Sequence, residues 1–132
     1  MINQLQVKGA IPLILRGTGK YYMRNEDDFD VFPASRLYME KLPVLCEKMN
    51  VGYIDVGTVF DKGFKEKGYC YMMENYFMTK SAVERLNKKY GKQNGCDFDD
   101  NCHHNLDGAK HICDIFVNEV KKSNHPFKAY LK

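Results

Sequence analysis

The chain has 132 residues, enough for one domain with a real hydrophobic core. At 44% hydrophobic and 28% charged its composition is that of an ordinary soluble globular protein, and no run approaches the ~18 consecutive apolar residues of a membrane-spanning helix. The net charge of +3 comes from scattered lysines, which argues for a solvated surface and against a nucleic-acid-binding stripe.

In chain order, "MINQLQVKGA" reads as the last turns of a helix, with neither the basic start nor the cleavage site of a signal peptide. Residues 9–15, "GAIPLIL", form a short apolar run that predicts a buried strand, with Pro12 tolerated only near its start or at an edge. "RGTGKYYMRNEDDFDVFPAS" is polar, charged and Gly-containing, and predicts a loop of about twenty residues. "SRLYMEKLPVLCEKMN" carries Leu37, Leu42, Leu45 and Met49 near helical period. Pro43 should kink this helix or split it, since an interior proline costs ~3 kcal/mol.

"VGYIDVGTVF" alternates and is β-branched, which predicts a second strand. "TKSAVERLNKKYG" predicts a helix with a Ser81–Glu84 capping box, lysines in the last turn and Gly91 as the stop. "LDGAKHICDIFVNEVKKS" places Ala109, Ile112, Cys113, Phe116 and Val120 on one face of an amphipathic helix. The order strand, helix, strand, helix, helix implies an α/β domain with parallel strands. Two strands do not normally make a stable sheet by themselves.

The chemistry concentrates in "DFDDNCHHNLDGAKHICDIFVNEV", residues 97–120. Asp100 precedes His103 by three residues, a spacing that lets both side chains turn toward one pocket. A carboxylate on one ring nitrogen holds a histidine base in a single tautomer and stabilises the imidazolium it becomes. His104 is a second candidate base or a surface residue. A base of this kind serves a nucleophile, yet Ser35, Ser81 and Ser123 are the only serines, and none has a Gly-Asp-Ser setting.

The longer string D-x-x-H-x-N-x-x-G-A, residues 100–109, leading directly into a helix, resembles the last block of the SGNH (GDSL) hydrolases. Within them it is similar to the rhamnogalacturonan acetylesterase-like carbohydrate esterases. "KGAIPLIL" resembles that family's penultimate strand, "EKMNVGYIDVGTVF" its next helix end and final strand, and "FKAYLK" its usual ending. The resemblance implies the C-terminal portion of a flavodoxin-like three-layer fold, two parallel strands with flanking helices, so that residues 1–132 form one incomplete domain. It implies His103 as general base, Asp100 as its orienting partner, and Asn105, Gly108 and Ala109 as shapers of the loop and helix start. No cofactor is implied.

The implied substrate is an acetylated glycan of pectin or xylan type, with no nucleic-acid or membrane partner. The family's nucleophile block, oxyanion glycine and G-x-N-D block have no counterpart here. The expectation is therefore a chain inactive alone, completed by an N-terminal half or by self-association. The resembled enzymes are often secreted, but these residues do not fix a compartment.

Three other signals are weaker. Cys96, Cys102, His103, His104, His111 and Cys113 are a Cys/His-rich set, but their spacing matches no common zinc site. Cys96 and Cys102 would pair only in an oxidising compartment, while Cys46 and Cys113 read as small core residues. "RGTGK" lacks P-loop spacing. Lys20-Tyr21-Tyr22-Met23-Arg24 reads as a partly packed loop before it reads as a sugar platform.

Overall fold

The computed structural model describes residues 1–25, 28–31, 33–91 and 100–131. Its elements are α1 (Ile2–Val7), β1 (Leu13–Arg16), β2 (Tyr21–Asn25), β3 (Asp28–Val31), α2 (Pro33–Lys48), β4 (Gly52–Asp55), α3 (Val56–Lys67), α4 (Tyr69–Tyr76), β5 (Phe77–Met78), α5 (Lys80–Tyr90), β6 (Asp100–His104) and α6 (Leu106–Lys122), followed by a 3₁₀ turn at Pro126–Tyr130. The architecture is mixed α/β. β1 and β4 pair in parallel, with Leu13 opposite Gly52 and Arg16 opposite Asp55. β2 and β3 form an antiparallel hairpin, and β5 pairs antiparallel with β6.

The core is aromatic. α3 projects Val56, Phe60 and Phe64 inward at four-residue intervals, where they meet Met72 and Met73 of α4, Phe77 of β5, and Ile115 and Val120 of α6. Tyr21 stacks on Phe64 at 4.3 Å between centroids and meets the Phe77 ring edge-on at 5.9 Å. Full burial of each such side chain contributes about 1.5–3 kcal/mol.

A buried ion hub ties this core to the parallel strands. Arg16, 5% exposed at the C-terminal end of β1, donates from Nη1 to Asp55 Oδ1 (2.7 Å) and Thr58 Oγ1 (2.8 Å), and from Nη2 to Asp61 Oδ2 (3.1 Å). The Tyr21 hydroxyl donates to the other oxygen of Asp61. Asp55 also caps α3 by accepting from Thr58 N at 2.8 Å. Burial pushes the Asp55 carboxyl up, but the Thr58 N–H and the guanidinium outweigh it and hold it below its ordinary range. Burial and the Asp61 charge keep Tyr21 protonated.

Several expectations change. The predicted twenty-residue loop contains the β2–β3 hairpin, because Tyr21 enters the core and fixes the first strand. That burial also removes Tyr21 from any sugar platform. The second strand ends at Asp55, whose cap starts α3, so "VGTVF" is helical. α2 is one helix with Pro43 inside it, not two pieces.

The buried side of α2 carries Met39 and Cys46, whereas Leu37 and Leu45 are 55% and 49% exposed. Cys46 is buried as expected, but Cys113 is exposed, because α6 turns Ile115 and Val120 to the core and leaves Ala109 in solvent. α5 is capped by Thr79, whose Oγ1 accepts from Ala82 N, and not by Ser81. Gly91 stops it at φ 80°.

Removing the Arg16 guanidinium leaves Asp55 and Asp61 partly buried without their cation. Arg16→Ala is therefore expected to lower stability by about 3–5 kcal/mol, read as a shift in the urea midpoint at unchanged slope.

Candidate active site

β6 carries the site residues and hands the chain to α6. Asp100, 9% exposed, accepts from Cys102 N (2.7 Å) and His103 N (3.0 Å) at Oδ1, while its Oδ2 meets His103 Nδ1 at 2.7 Å. The carboxylate thus turns its own backbone around itself and holds the imidazole at the same time. Burial pushes the Asp100 pKa up. The His103 N–H, the His103 ring and the Cys102 N–H outweigh that and hold it below its ordinary value. The His103 side chain is 78% exposed, so its Nε2 is open to solvent. With Nδ1–H donated to Asp100, Nε2 keeps a lone pair, as a general base requires.

The pair was expected on a loop and stands on a strand, where pairing of Phe77 with His104 and of Met78 with Asp100 fixes its ends. In the neighbouring register His104 points inward. It lies against the Phe77 and Phe60 rings at 4.5 and 5.3 Å, with Nε2 3.2 Å from Thr18 Oγ1. Burial, and then the nearby His103 charge, push its pKa down to about 4. His104 is half-buried against these rings and is not a surface residue.

Asn105 and Gly108 build the junction. Asn105, 2% exposed, caps α6 by accepting from Gly108 N (2.9 Å), and its Nδ2 donates to Phe77 O (2.8 Å) and Asn75 O (3.1 Å). Its backbone N–H donates to Tyr76 O at 3.0 Å, and Ala109 N closes the first helical bond on Asn105 O at 2.8 Å. A Cβ on Gly108 would lie 2.1 Å from Tyr76 O, so only glycine lets α6 approach that carbonyl. Both residues therefore act in the packing of α6 on α4, which no sequence spacing announces.

Among the described residues no nucleophile is brought to His103; the Ser35 side chain lies outside them. Ser81 bonds to Thr79, and Ser123 donates to Val120 O and accepts from His125 N. Among the described residues the side-chain partner of the His103 ring is Asp100. Cys96 lies outside the described residues, so its pairing with the exposed Cys102 does too. His111 stacks on Tyr76 at 4.6 Å and 12°, turned away from metal duty, and no three His, Cys, Asp or Glu converge among the described residues. Sequence reasoning missed Arg16 and Thr18. The only signal for either was a cation and a hydroxyl placed at the end of a strand in an α/β pattern.

His104 makes stability depend on pH. Its folded pKa lies below the unfolded value, so the unfolded chain binds a proton that the native chain refuses. Stability is then complete above the unfolded pKa and is lost as pH falls from about 6.5 toward about 4. The loss at pH 5 is about 2 kcal/mol relative to pH 8, and His104→Phe should flatten it in urea titrations at the two pH values. Gly108→Ala should cost about 1–3 kcal/mol by overpacking, seen as a lower thermal midpoint. No family model, no curated protein and no solved structure matches the chain.

Proposed function

We propose that this chain carries the acid–base half of a serine-dependent esterase that deacetylates carbohydrate, on the SGNH pattern its sequence resembles. The observation that supports it most directly is the 2.7 Å bond between His103 Nδ1 and a buried Asp100, with the other ring nitrogen in solvent. In this reading β1, β4 and their helices correspond to the C-terminal portion of a flavodoxin-like three-layer fold.

A serine from polypeptide outside these residues attacks the acetyl carbonyl carbon while His103 Nε2 takes its proton. The tetrahedral intermediate collapses, the carbon–oxygen bond to the sugar breaks, and Nε2 returns the proton to the sugar oxygen. Water then repeats the cycle on the acyl-serine and releases acetate. Asp100 stays ionised throughout and fixes the imidazole. The substrate is an acetylated pectin- or xylan-type glycan. Loss of a triad serine alone costs on the order of 10⁶ in kcat, so the isolated chain is inactive.

A second reading rests on a separate observation, the exposed apolar side of α2. There the chain is a non-catalytic half-domain that works by association.

The hydrolase reading is tested by joining the chain to the N-terminal half of an SGNH esterase and measuring acetate release from acetylated xylan. Activity should appear in the chimera and fall at least ~10⁴-fold in its His103→Ala variant. A chimera as active without His103 as with it would sink the assignment. In the isolated chain at pH 8, ¹⁵N spectra should show His103 protonated at Nδ1 and bare at Nε2. Asp100→Asn should mix the tautomers; an unchanged spectrum would remove Asp100 from its role.

A further inference from the structure

We infer that Thr18, in the loop after β1, is a positioning residue for the candidate base His103 and acts through the ring of His104. This role rests on the hydrolase reading and falls to a residue that reading does not use. Phe77 and Met78 are consecutive on β5, yet they face His104 and Asp100, which are four positions apart on β6. Residues 101–103 therefore bulge out of the ladder, and His103 has no residue of β5 opposite it. A bulge re-aims its side chains, and that aim is only as definite as the two ends that hold it.

Asp100 secures one end, where its Oδ1 accepts from Cys102 N and His103 N. His104 is the other end. Its ring packs on Phe77 at 4.5 Å and on Phe60 at 5.3 Å between centroids. Apolar packing of this kind is non-directional and leaves the ring free to slide in its slot. The directional contact is Nε2 with Thr18 Oγ1 at 3.2 Å, across 86 positions of sequence. Among the described residues Thr18 is the hydrogen-bond partner of the His104 ring.

Thr18 can serve as an anchor because its loop is pinned on both sides of it. Gly17 O lies so close to α3 that a Cβ on Gly57 would come within 2.4 Å of it. Gly19 N donates to the Tyr21 hydroxyl at 3.2 Å, and that hydroxyl donates to Asp61, a carboxylate of the Arg16 hub. Branching at Cβ adds stiffness, since it restricts χ1 of the threonine. The buried hub is thereby linked through the loop to His104, and His104 shares a peptide bond with His103.

The test compares Thr18→Val, which keeps the shape and removes the hydroxyl, with Thr18→Ser, which keeps the hydroxyl. In long-range ¹H–¹⁵N spectra of the whole chain at pH 8, His103 should carry its proton at Nδ1. Thr18→Val should mix the two tautomers of His103, and Thr18→Ser should restore the single one. In the esterase chimera Thr18→Val should lower kcat about three- to tenfold, the worth of one ordinary hydrogen bond, with KM within about twofold, and Thr18→Ser should recover it. A threonine that only stabilises the fold would lower the urea midpoint and move neither the tautomer nor kcat.

Should Thr18→Val fail to fold, hydrogen exchange on the unaltered chain decides the matter. The Gly19 and His103 amides, held by Tyr21 and Asp100, should open together with one dependence on urea. Two separate dependences, or a His103 tautomer that Thr18→Val leaves unchanged, would overturn the role of Thr18 alone. An unaltered chain without a proton on His103 Nδ1 would overturn the hydrolase reading, and the role of Thr18 with it.

Discussion

Arg16 is the constraint on which the other packing decisions rest. Its guanidinium sits where β1 ends and reaches β4 through Asp55, α3 through Thr58 and Asp61, and the β2–β3 hairpin through the Tyr21 bond to Asp61. Two carboxylates and one cation are costly to desolvate, and the three guanidinium bonds to Asp55, Thr58 and Asp61 offset that cost. Gly57 belongs to the same arrangement: a Cβ there would lie 2.4 Å from Gly17 O and 2.6 Å from Arg16 Cζ. The hub thus sets how closely α3 can follow β4.

From that hub the aromatic core carries order to the candidate site. Tyr21 packs on Phe64 and Phe77, and Phe77 pairs with His104, one residue beyond His103. On the far side, Asn105 and Gly108 clamp the start of α6 to the α4–β5 junction through the Tyr76 and Phe77 carbonyls. His103 is therefore an exposed ring on a rigid support. Its partner Asp100 is buried with three hydrogen bonds, which leaves the imidazole one orientation without removing it from solvent. That combination suits a base that must meet a group brought to it.

The same core draws little on α2. Core residues are recruited around α3, α4 and α6, and α2 contributes mainly Met39 and Cys46. Leu37, Tyr38, Val44 and Leu45 of the same helix are largely exposed among the described residues.

Local order was legible in the residues themselves. The stop at Gly91, a strand near residue 13 (though it begins at Leu13 and its Leu15 is exposed where a buried strand over 9–15 was expected), the pairing of a carboxylate with a histidine three residues on, and the entry to α6 all follow from short-range spacing and backbone preference. What spacing could not decide was which face is inside. The α2 stripe of Leu37 and Leu45 is as apolar as any core stripe and lies in solvent, because burial depends on the neighbour and not on the helix. Tyr21 looks like a polar loop residue and is interior, and His104 is half-buried, because Phe60, Phe64 and Phe77 converge on them from elements distant in sequence. Sequence determined which groups could do chemistry; only tertiary contact decided that His103 is exposed and held while His104, beside it, is half-buried against aromatic rings. Adjacent residues on a strand point to opposite faces, and the fold supplies a different environment to each.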